Sequence, residues 1–163
     1  MDTFGSTDPK RMPGHFFAGA VHLDYPSAIP ADIRNQNFSV APRHWYLDAD
    51  FQCAQCHQEF TWTAGEQKTW FEEYRFWIDG YPRHCKKCRA QIRHLENLRK
   101  EYDSSVADAK AHGRLDQKRR IVEIIRELKD TLGSVPPRMN DHLELFESQL
   151  LKAANPCTNH KLD

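Results

Sequence analysis

Five cysteines are the residues of this sequence whose type and spacing best fit a chemical role. Four of them form two CxxC pairs, Cys53 with Cys56 and Cys85 with Cys88, which are separated by residues 57–84. The two thiolates of one such pair can bind the same ion when they lie in a tight turn, and two pairs complete the tetrahedral four-thiolate shell that Zn²⁺ favours. A filled shell leaves no open position for water or substrate, so we expect a structural zinc site and no zinc catalysis.

The cysteine pairs have two other interpretations. They could be redox-active dithiols, or two unconnected buried turns. His57 and His84 lie directly beside these cysteines and could replace a thiolate, although four cysteines at this spacing favour an all-cysteine shell. Cys157 lies far from both pairs, and we interpret it as an incidental thiol.

Other catalytic constellations are missing from the sequence. It contains no GxSxG, P-loop or HExxH motif, and the remaining histidines lack motif spacing. A ββα-metal nuclease is also disfavoured, because His94 and Asn97 follow a CxxC without the paired histidines of such a site. We therefore expect no enzyme activity and no small-molecule substrate.

Charge and hydropathy limit the partners further. The 163 residues contain 23 Lys and Arg against 23 Asp and Glu, so no overall charge steers the chain to nucleic acid or to an acidic surface. No apolar run approaches the roughly 18 to 20 residues of a membrane span, and residues 1–14 do not resemble a signal peptide. We expect a soluble, cytoplasmic protein in a reducing compartment, where an odd number of cysteines fits metal binding better than disulfides.

A local excess of positive charge begins at the second cysteine pair. Between residues 83 and 100 the sequence has seven Lys or Arg against one Glu. We interpret this segment as a candidate phosphate-backbone contact, which would be non-specific and salt-dependent. The alternative is a solvated helix face that also offsets the charge of the thiolates. The candidate residues are Arg83, Lys86, Lys87, Arg89, Arg93, Arg99 and Lys100.

The elements that would position the cysteines lie among the aromatic residues of segment 45–81. Residues 59–63 alternate polar and aromatic side chains, which predicts a strand with one buried face. Thr63 and Glu66 have the spacing of a capping box, so a helix should begin there. We expect this helix to carry four aromatic residues on one face and to end at residues 80–82. These four are Trp70, Phe71, Tyr74 and Trp77.

The remaining segments are predicted to be an N-terminal arm and a group of helices. Prolines in residues 1–44 leave little room for a regular element, so we expect an extended arm that is disordered over residues 1–13 and packs against the body later. Apolar periodicity predicts helices from Lys86 to about Gly113, from Leu115 to Leu132 and from about Asn140 to Ala154. The predicted organisation is α+β, with an arm (1–44), a zinc-ribbon-like core (45–91), a helical segment (92–155) and a tail (156–163).

Residues 51–89 resemble a zinc-ribbon or zinc-binding domain family of bacteria. The resemblance rests on the first CxxC, the Glu-Phe that follows it, the Thr-Ala-x-Glu-Gln helix start, the aromatic residues and the terminal CxxCR. It implies that Cys53, Cys56, Cys85 and Cys88 are the zinc ligands, and it implies no assigned reaction. Members usually have glycine after the second cysteine, where the turn can require a positive φ, whereas this chain has His57.

Three functions follow as hypotheses. The first is a zinc-binding, non-catalytic module that binds nucleic acid or another macromolecule. The second is a protein-interaction adaptor, in which Val122, Ile124 or Leu145 of the C-terminal helices contacts a partner or a second copy. The third is a redox- or zinc-responsive switch, in which oxidation of the cysteine pairs releases the metal.

Overall fold

The structure is a computed structural model that describes residues 3–155. The chain divides into two compact units, Met1–Arg89 and Ala90–Asp163, of which we describe each by itself. The first unit contains a small sheet and both cysteine pairs, and the second is formed by helices. The predicted α+β class with C-terminal helices is confirmed.

An antiparallel three-stranded sheet forms the frame of the first unit. Its strands are β1 (His22–Pro30), β2 (Trp45–Gln52) and β3 (Glu59–Trp62), in the order β1-β2-β3. The predicted strand over residues 59–63 therefore matches β3 to within one residue. β2 is the central strand, and its end at Gln52 leads directly into the first cysteine pair.

The expectation that the prolines of residues 1–44 leave little room for a regular element is wrong. β1 is nine residues long, although it contains Pro26 and ends at Pro30. It tolerates proline because it is an edge strand and because its register shifts between Asp24 and Ile29. In that irregular stretch the Ser27 hydroxyl donates to the Asp24 carbonyl and accepts from the Asp48 N–H, which keeps the two strands joined.

The start of the described chain also differs from the predicted disordered segment. Short 3-10 turns occur at Thr3–Gly5, Pro9–Arg11 and Gly14–Phe17. Phe16 and Phe17 are buried in the aromatic core of the unit. This agrees with the expectation that the later part of the arm packs against the body.

The helix that follows β3 is shorter than predicted. α1 (Ala64–Lys68) has the expected capping box between Thr63 and Glu66, and a π-helical turn, Thr69–Glu73, continues it. The helix then ends, because the Tyr74 N–H bonds the Thr69 carbonyl and Arg75 adopts a left-handed φ of 54°. The predicted single aromatic face is therefore wrong, since Phe71 is buried whereas Tyr74 and Trp77 are exposed.

Three helices form the second unit, although the first of them begins in the first unit. They are α2 (Lys86–Ala111), α3 (Leu115–Leu132) and α4 (Pro137–Ala154), and their bounds agree with the apolar periodicity. Both α2 and α3 are followed by a glycine. At Gly113 a Cβ would come within 2.4 Å of the Ala109 backbone, and at Gly133 the φ of 79° lies in the left-handed region that favours glycine.

The core of the second unit is a single apolar cluster with contributions from α2, α3 and α4. Val122 and Ile124 belong to it, so the hypothesis that they contact a partner is wrong for these two residues. The apolar face of α3 is wider than one residue per turn, because α3 contributes to a core that it shares with both α2 and α4. Leu145 is exposed, as the adaptor hypothesis requires. Within residues 3–155, none of the helices is both long and apolar enough to span a membrane.

Candidate metal centre

The first cysteine pair lies in the turn between β2 and β3. The Cys53 N–H donates to the Gln58 carbonyl, and the His57 N–H donates to the Cys53 carbonyl, each at 2.9 Å. This closure requires a left-handed residue at position 57, and His57 has a φ of 59°. The glycine-like conformation expected after the second cysteine is therefore present, with a histidine in a place that favours glycine.

The second pair lies at the beginning of α2. Cys85 immediately precedes the helix and Cys88 lies in its first turn, where the Arg89 N–H donates to the Cys85 carbonyl. The partial positive charge of a helix N-terminus is compatible with the negative charge of a metal–thiolate site. The second pair therefore differs from the first, because it belongs to a helix and not to a second loop between strands.

Hydrogen bonds join the two pairs. The Ala54 N–H donates to the Arg83 carbonyl at 2.9 Å, and the Cys85 N–H donates to the Cys53 sulfur at 3.3 Å. These contacts fix the first turn against the segment that leads into α2. The two halves of the site are thus positioned by the protein backbone itself.

The four sulfur atoms form one compact group. All of them lie within 4.8 Å of one another, and the Cys56 and Cys85 sulfurs are 3.9 Å apart. A tetrahedral site with Zn–S bonds of about 2.3 Å requires sulfurs about 3.8 Å apart, so only small movements would complete the shell. Cys53 and Cys88 are buried, and Cys56 is the exposed member of the group. The site fits a tetrahedral metal ion.

The environment of the site favours ionisation of the Cys53 thiol and opposes that of the Cys88 thiol. Burial opposes ionisation of Cys53, but backbone N–H groups, first that of Cys56 and then that of Cys85, outweigh it and lower the pKa of this thiol. Burial, followed by hydrogen bonding to Cys85, raises the pKa of Cys88. One thiolate is therefore favoured while its neighbour is held protonated, as expected when negative charges would share one small volume. A bound cation removes that conflict.

The histidines beside the cysteines are not members of the sulfur group. Among residues 3–155, the cluster that could hold a metal consists of the four cysteines alone. His57 is exposed and His84 is half-buried. The preference for an all-cysteine shell agrees with this geometry. Cys157 lies outside the described residues.

The seven predicted nucleic-acid contacts do not form a single patch. At 100° per residue, one face of α2 carries Lys86, Arg89, Arg93 and Lys100, while Lys87 and Arg99 point elsewhere. Arg83 precedes the helix. All seven are exposed except Arg89, which is half-buried.

Arg89 has partners within the first unit. Its guanidinium carbon lies 5.1 Å from the centre of the Trp70 ring, and Nη2 lies 3.8 Å from the Glu66 carboxylate. Glu66 also accepts from the Thr63 N–H in the capping box of α1. The start of α2 is thereby attached to α1 through a charged side chain beside the cysteine site.

Sequence reasoning missed the exposed aromatic residues and the buried polar residues of the first unit. Arg43 is fully buried among aromatic rings, and Gln67 is fully buried where its Nε2 donates to the Leu47 and Trp62 carbonyls. For Gln67 the sequence held one signal of burial, which is that the residue follows a capping box and lies in the first turns of the predicted helix. Arg43 had no such signal, because it follows a proline in a segment without periodicity.

Residues 47–97 match a protein family model described as "Probable treble clef domain". The matched segment includes both cysteine pairs, β3, α1 and the beginning of α2. Searches of curated proteins and of solved structures found no match. The zinc-binding resemblance is confirmed, and the core is a treble clef, zinc-finger-like domain whose second cysteine pair lies at a helix N-terminus.

Proposed function

We propose that this chain is a non-catalytic zinc module whose metal fixes the N-terminus of α2, and that this helix start binds a polyanion, namely nucleic acid. The observation that carries the proposal is the group of four cysteine sulfurs within 4.8 Å. Its metal-binding part is supported by the match to a treble clef family model.

The donor set favours zinc among the available metals. Four thiolates are soft ligands that select Zn²⁺, copper(I) or iron, and zinc prefers the tetrahedral geometry to which these sulfurs are close. When bound, the ion would be held by Cys53, Cys56, Cys85 and Cys88 and would supply structural cross-linking. These residues already fill four positions, which supports a structural role and not hydrolysis.

Metal content and thiol reactivity test the metal part. The full chain, purified without added metal, should contain about one zinc, and four thiols should react only after chelation. Cys88→Ser should lower the zinc content sharply, whereas Cys157→Ser should leave it unchanged. Less than half a zinc per folded wild-type chain, or iron as the resident metal, would contradict this part.

The nucleic-acid part is supported by charges that the protein leaves accessible. Lys86 and Lys87 are exposed in the first turn of α2, and within residues 3–155 neither forms an ion pair. The four-thiolate zinc site would have a charge near −2, so part of this positive charge offsets it. Arg83, which lies just before the second cysteine pair, is exposed as well, so the start of α2 has more positive charge than one metal site requires.

Salt dependence of binding tests this part. Binding of the full chain to a 20-base-pair DNA should weaken as salt rises, and each phosphate contact adds about −0.9 to the slope of log affinity against log salt. Lys86→Ala/Lys87→Ala should make the slope shallower by about 1 to 2. Lys118→Ala/Arg119→Ala removes the same charge from α3 and should leave the slope unchanged. Equal losses in the two variants would attribute binding to net charge alone and contradict the proposal.

A further inference from the structure

Aromatic side chains lie exposed after the π-helical turn of the first unit. Tyr74 is 60% exposed, Phe76 is 48% exposed, and Trp70 is half-buried beside them. The backbone causes this exposure. The turn closes with the Tyr74 N–H on the Thr69 carbonyl, and the left-handed Arg75 then directs Phe76 back toward Trp70, whose carbonyl accepts the Phe76 N–H at 3.0 Å.

These three rings form one surface, which we call the aromatic shelf. The Phe76 ring centre lies 5.6 Å from Trp70 in an edge-on contact and 5.6 Å from Tyr74. Trp70 is anchored to the buried Trp62 at 5.2 Å, so the shelf is attached to the aromatic core. A shallow cavity of about 330 Å³ lies beside it, lined by Trp70 and Tyr74 together with Gly65, Glu66 and Thr69.

Positive charge adjoins the shelf directly. Arg89 packs over the Trp70 ring, and Lys86 lies one helical turn earlier on the same face of α2. Three acidic side chains lie close to the shelf, and each has a partner in the fold. Glu72 pairs with Lys68 and accepts from the Asp32 N–H, Glu73 accepts from the Thr69 hydroxyl, and Glu66 caps α1 and faces Arg89. Guanidinium groups have five donors, so the contact with Glu66 leaves Arg89 able to donate to a phosphate.

We propose that the aromatic shelf binds the unpaired bases of a single-stranded nucleic acid while Arg89 and Lys86 contact its phosphates. Every base has a face that stacks on aromatic rings, whereas duplex bases are already stacked and present only their edges. Rings beside cations are the arrangement that this chemistry uses. The inference rests on the proposed function, because it specifies which nucleic acid the basic start of α2 accepts.

A purely apolar protein partner fits this surface less well, because charged groups border it. Neither the rings nor the cations identify the sugar, so single-stranded DNA and RNA should bind alike. The shelf recognises base faces, and we expect little sequence preference.

Fluorescence anisotropy of the full chain with three labelled probes tests the inference. The probes are a 12-nucleotide thymidine DNA, a 12-nucleotide uridine RNA and a 12-base-pair DNA duplex. Wild type should bind both single strands more tightly than the duplex. Tyr74→Ala/Phe76→Ala should weaken single-strand binding by at least about fivefold and leave duplex binding unchanged.

Three further variants separate the explanations. Tyr74→Phe keeps the ring and should retain wild-type affinity, and Phe38→Ala removes an exposed aromatic outside the shelf and should also have no effect. Lys86→Ala/Lys87→Ala should weaken all three probes. Zinc content and tryptophan fluorescence confirm that each variant is folded.

Distinct results would overturn the two proposals. If the lysine variant weakens every probe but the shelf variant changes none, the polyanion function stands and the shelf inference is wrong. The shelf inference is also wrong if gel filtration finds wild type as a dimer and the shelf variant as a monomer, because a second copy would then occupy this surface. If wild type binds none of the probes at low salt, both the inference and the nucleic-acid function fail, while the metal proposal is unaffected.

Discussion

The two units of this chain obtain their stability from different sources. The first has short strands, a helix of five residues, a core of aromatic rings and several buried polar groups, and its cysteine pairs join distant segments. The second has three long helices whose aliphatic side chains form one cluster. The comparison indicates that a fold with few regular elements needs specific cross-links, whereas a helical bundle is stabilised by repeated apolar contacts.

Metal removal should produce the largest difference between the units. Structural zinc contributes about 10 kcal/mol or more in zinc-finger peptides, so chelation or Cys88→Ser should unfold the first unit at 25 °C. All four tryptophans lie in the first unit, so their emission should shift to longer wavelength while most of the helical circular dichroism at 222 nm remains. Cys157→Ser is the control. Parallel loss of both signals would contradict the separate stabilisation of the units.

Replacement of a large side chain in the helical core should have the reverse result, with loss of stability in the second unit and no loss of zinc. Phe146 is fully buried in the cluster of the second unit, so Phe146→Ala should lower its free energy of unfolding by about 3 to 5 kcal/mol. Thermal melting followed by circular dichroism should show the loss, whereas zinc content should stay at the wild-type value. Leu151→Ala on the exposed side of α4 should change stability by less than about 0.5 kcal/mol. A loss of zinc from Phe146→Ala would show that the units depend on each other.

The same contrast explains what could be predicted from the sequence. Apolar periodicity gave the bounds of α3 and nearly those of α2 and α4, because the pattern of a helix in a bundle is local. The four clustered cysteines were also predicted, since CxxC spacing is dictated by the ligand geometry of one ion.

The features that were missed depend on contacts between distant segments. β1 pairs with β2 at residues 15 to 28 positions further along the chain, and it contains prolines that a local pattern excludes. The end of the π-helical turn depends on the left-handed Arg75, whose side chain donates to Asn35 across forty residues of sequence. Such contacts carry no periodic signal, so the arm and the exposed shelf could not be predicted.

Arg43 tests whether specific polar contacts stabilise the first unit. Its Nη2 donates to the Phe16 carbonyl at 2.6 Å and to the Ile78 carbonyl at 3.1 Å, and its guanidinium packs among four aromatic rings. Arg43→Ala leaves both carbonyls unpaired and opens a cavity, so we expect a loss of about 3 kcal/mol. Denaturant unfolding of zinc-loaded protein, followed by tryptophan emission, measures it.

A matched variant distinguishes the buried contacts of Arg43 from its charge. Arg34 is exposed and pairs with Asp32, so Arg34→Ala should leave unfolding nearly unchanged. Arg43→Met restores volume without the hydrogen bonds and should lie between wild type and Arg43→Ala. Equal effects of the two alanine variants would show that Arg43 acts through net charge.

A pH dependence should be found in the second unit. His142 is buried, and burial, followed by the nearby cations Lys110 and Arg138, lowers its pKa. The unfolded chain therefore binds the proton more readily, and stability that is fully present above the ordinary histidine pKa of about 6.5 is lost as the pH falls from that value through the lowered pKa of the folded state. In the fold its Nδ1 and the Tyr102 hydroxyl form a buried hydrogen bond of 2.7 Å.

Melting of the helices between pH 7 and pH 5 measures this effect. The melting temperature of wild type should fall by a few degrees, and His142→Gln should reduce the fall. The exposed His112→Gln should melt with the wild-type pH dependence. If His142→Gln keeps the full dependence, another group is responsible.

The smallest expected effect concerns the turn that holds the first cysteine pair. His57 has a conformational cost for its φ of 59°, and glycine there would remove the clash of Cβ with the backbone while adding freedom to the unfolded chain. His57→Gly should therefore stabilise the first unit by about 0.5 kcal/mol and tighten zinc binding about twofold. Gln58 follows it without a positive φ, so Gln58→Gly should weaken the unit slightly. Competition with a chromogenic chelator measures the zinc affinity of the variants. Weaker zinc binding by His57→Gly would mean that His57 contributes to the site mainly through its imidazole and not through its backbone conformation.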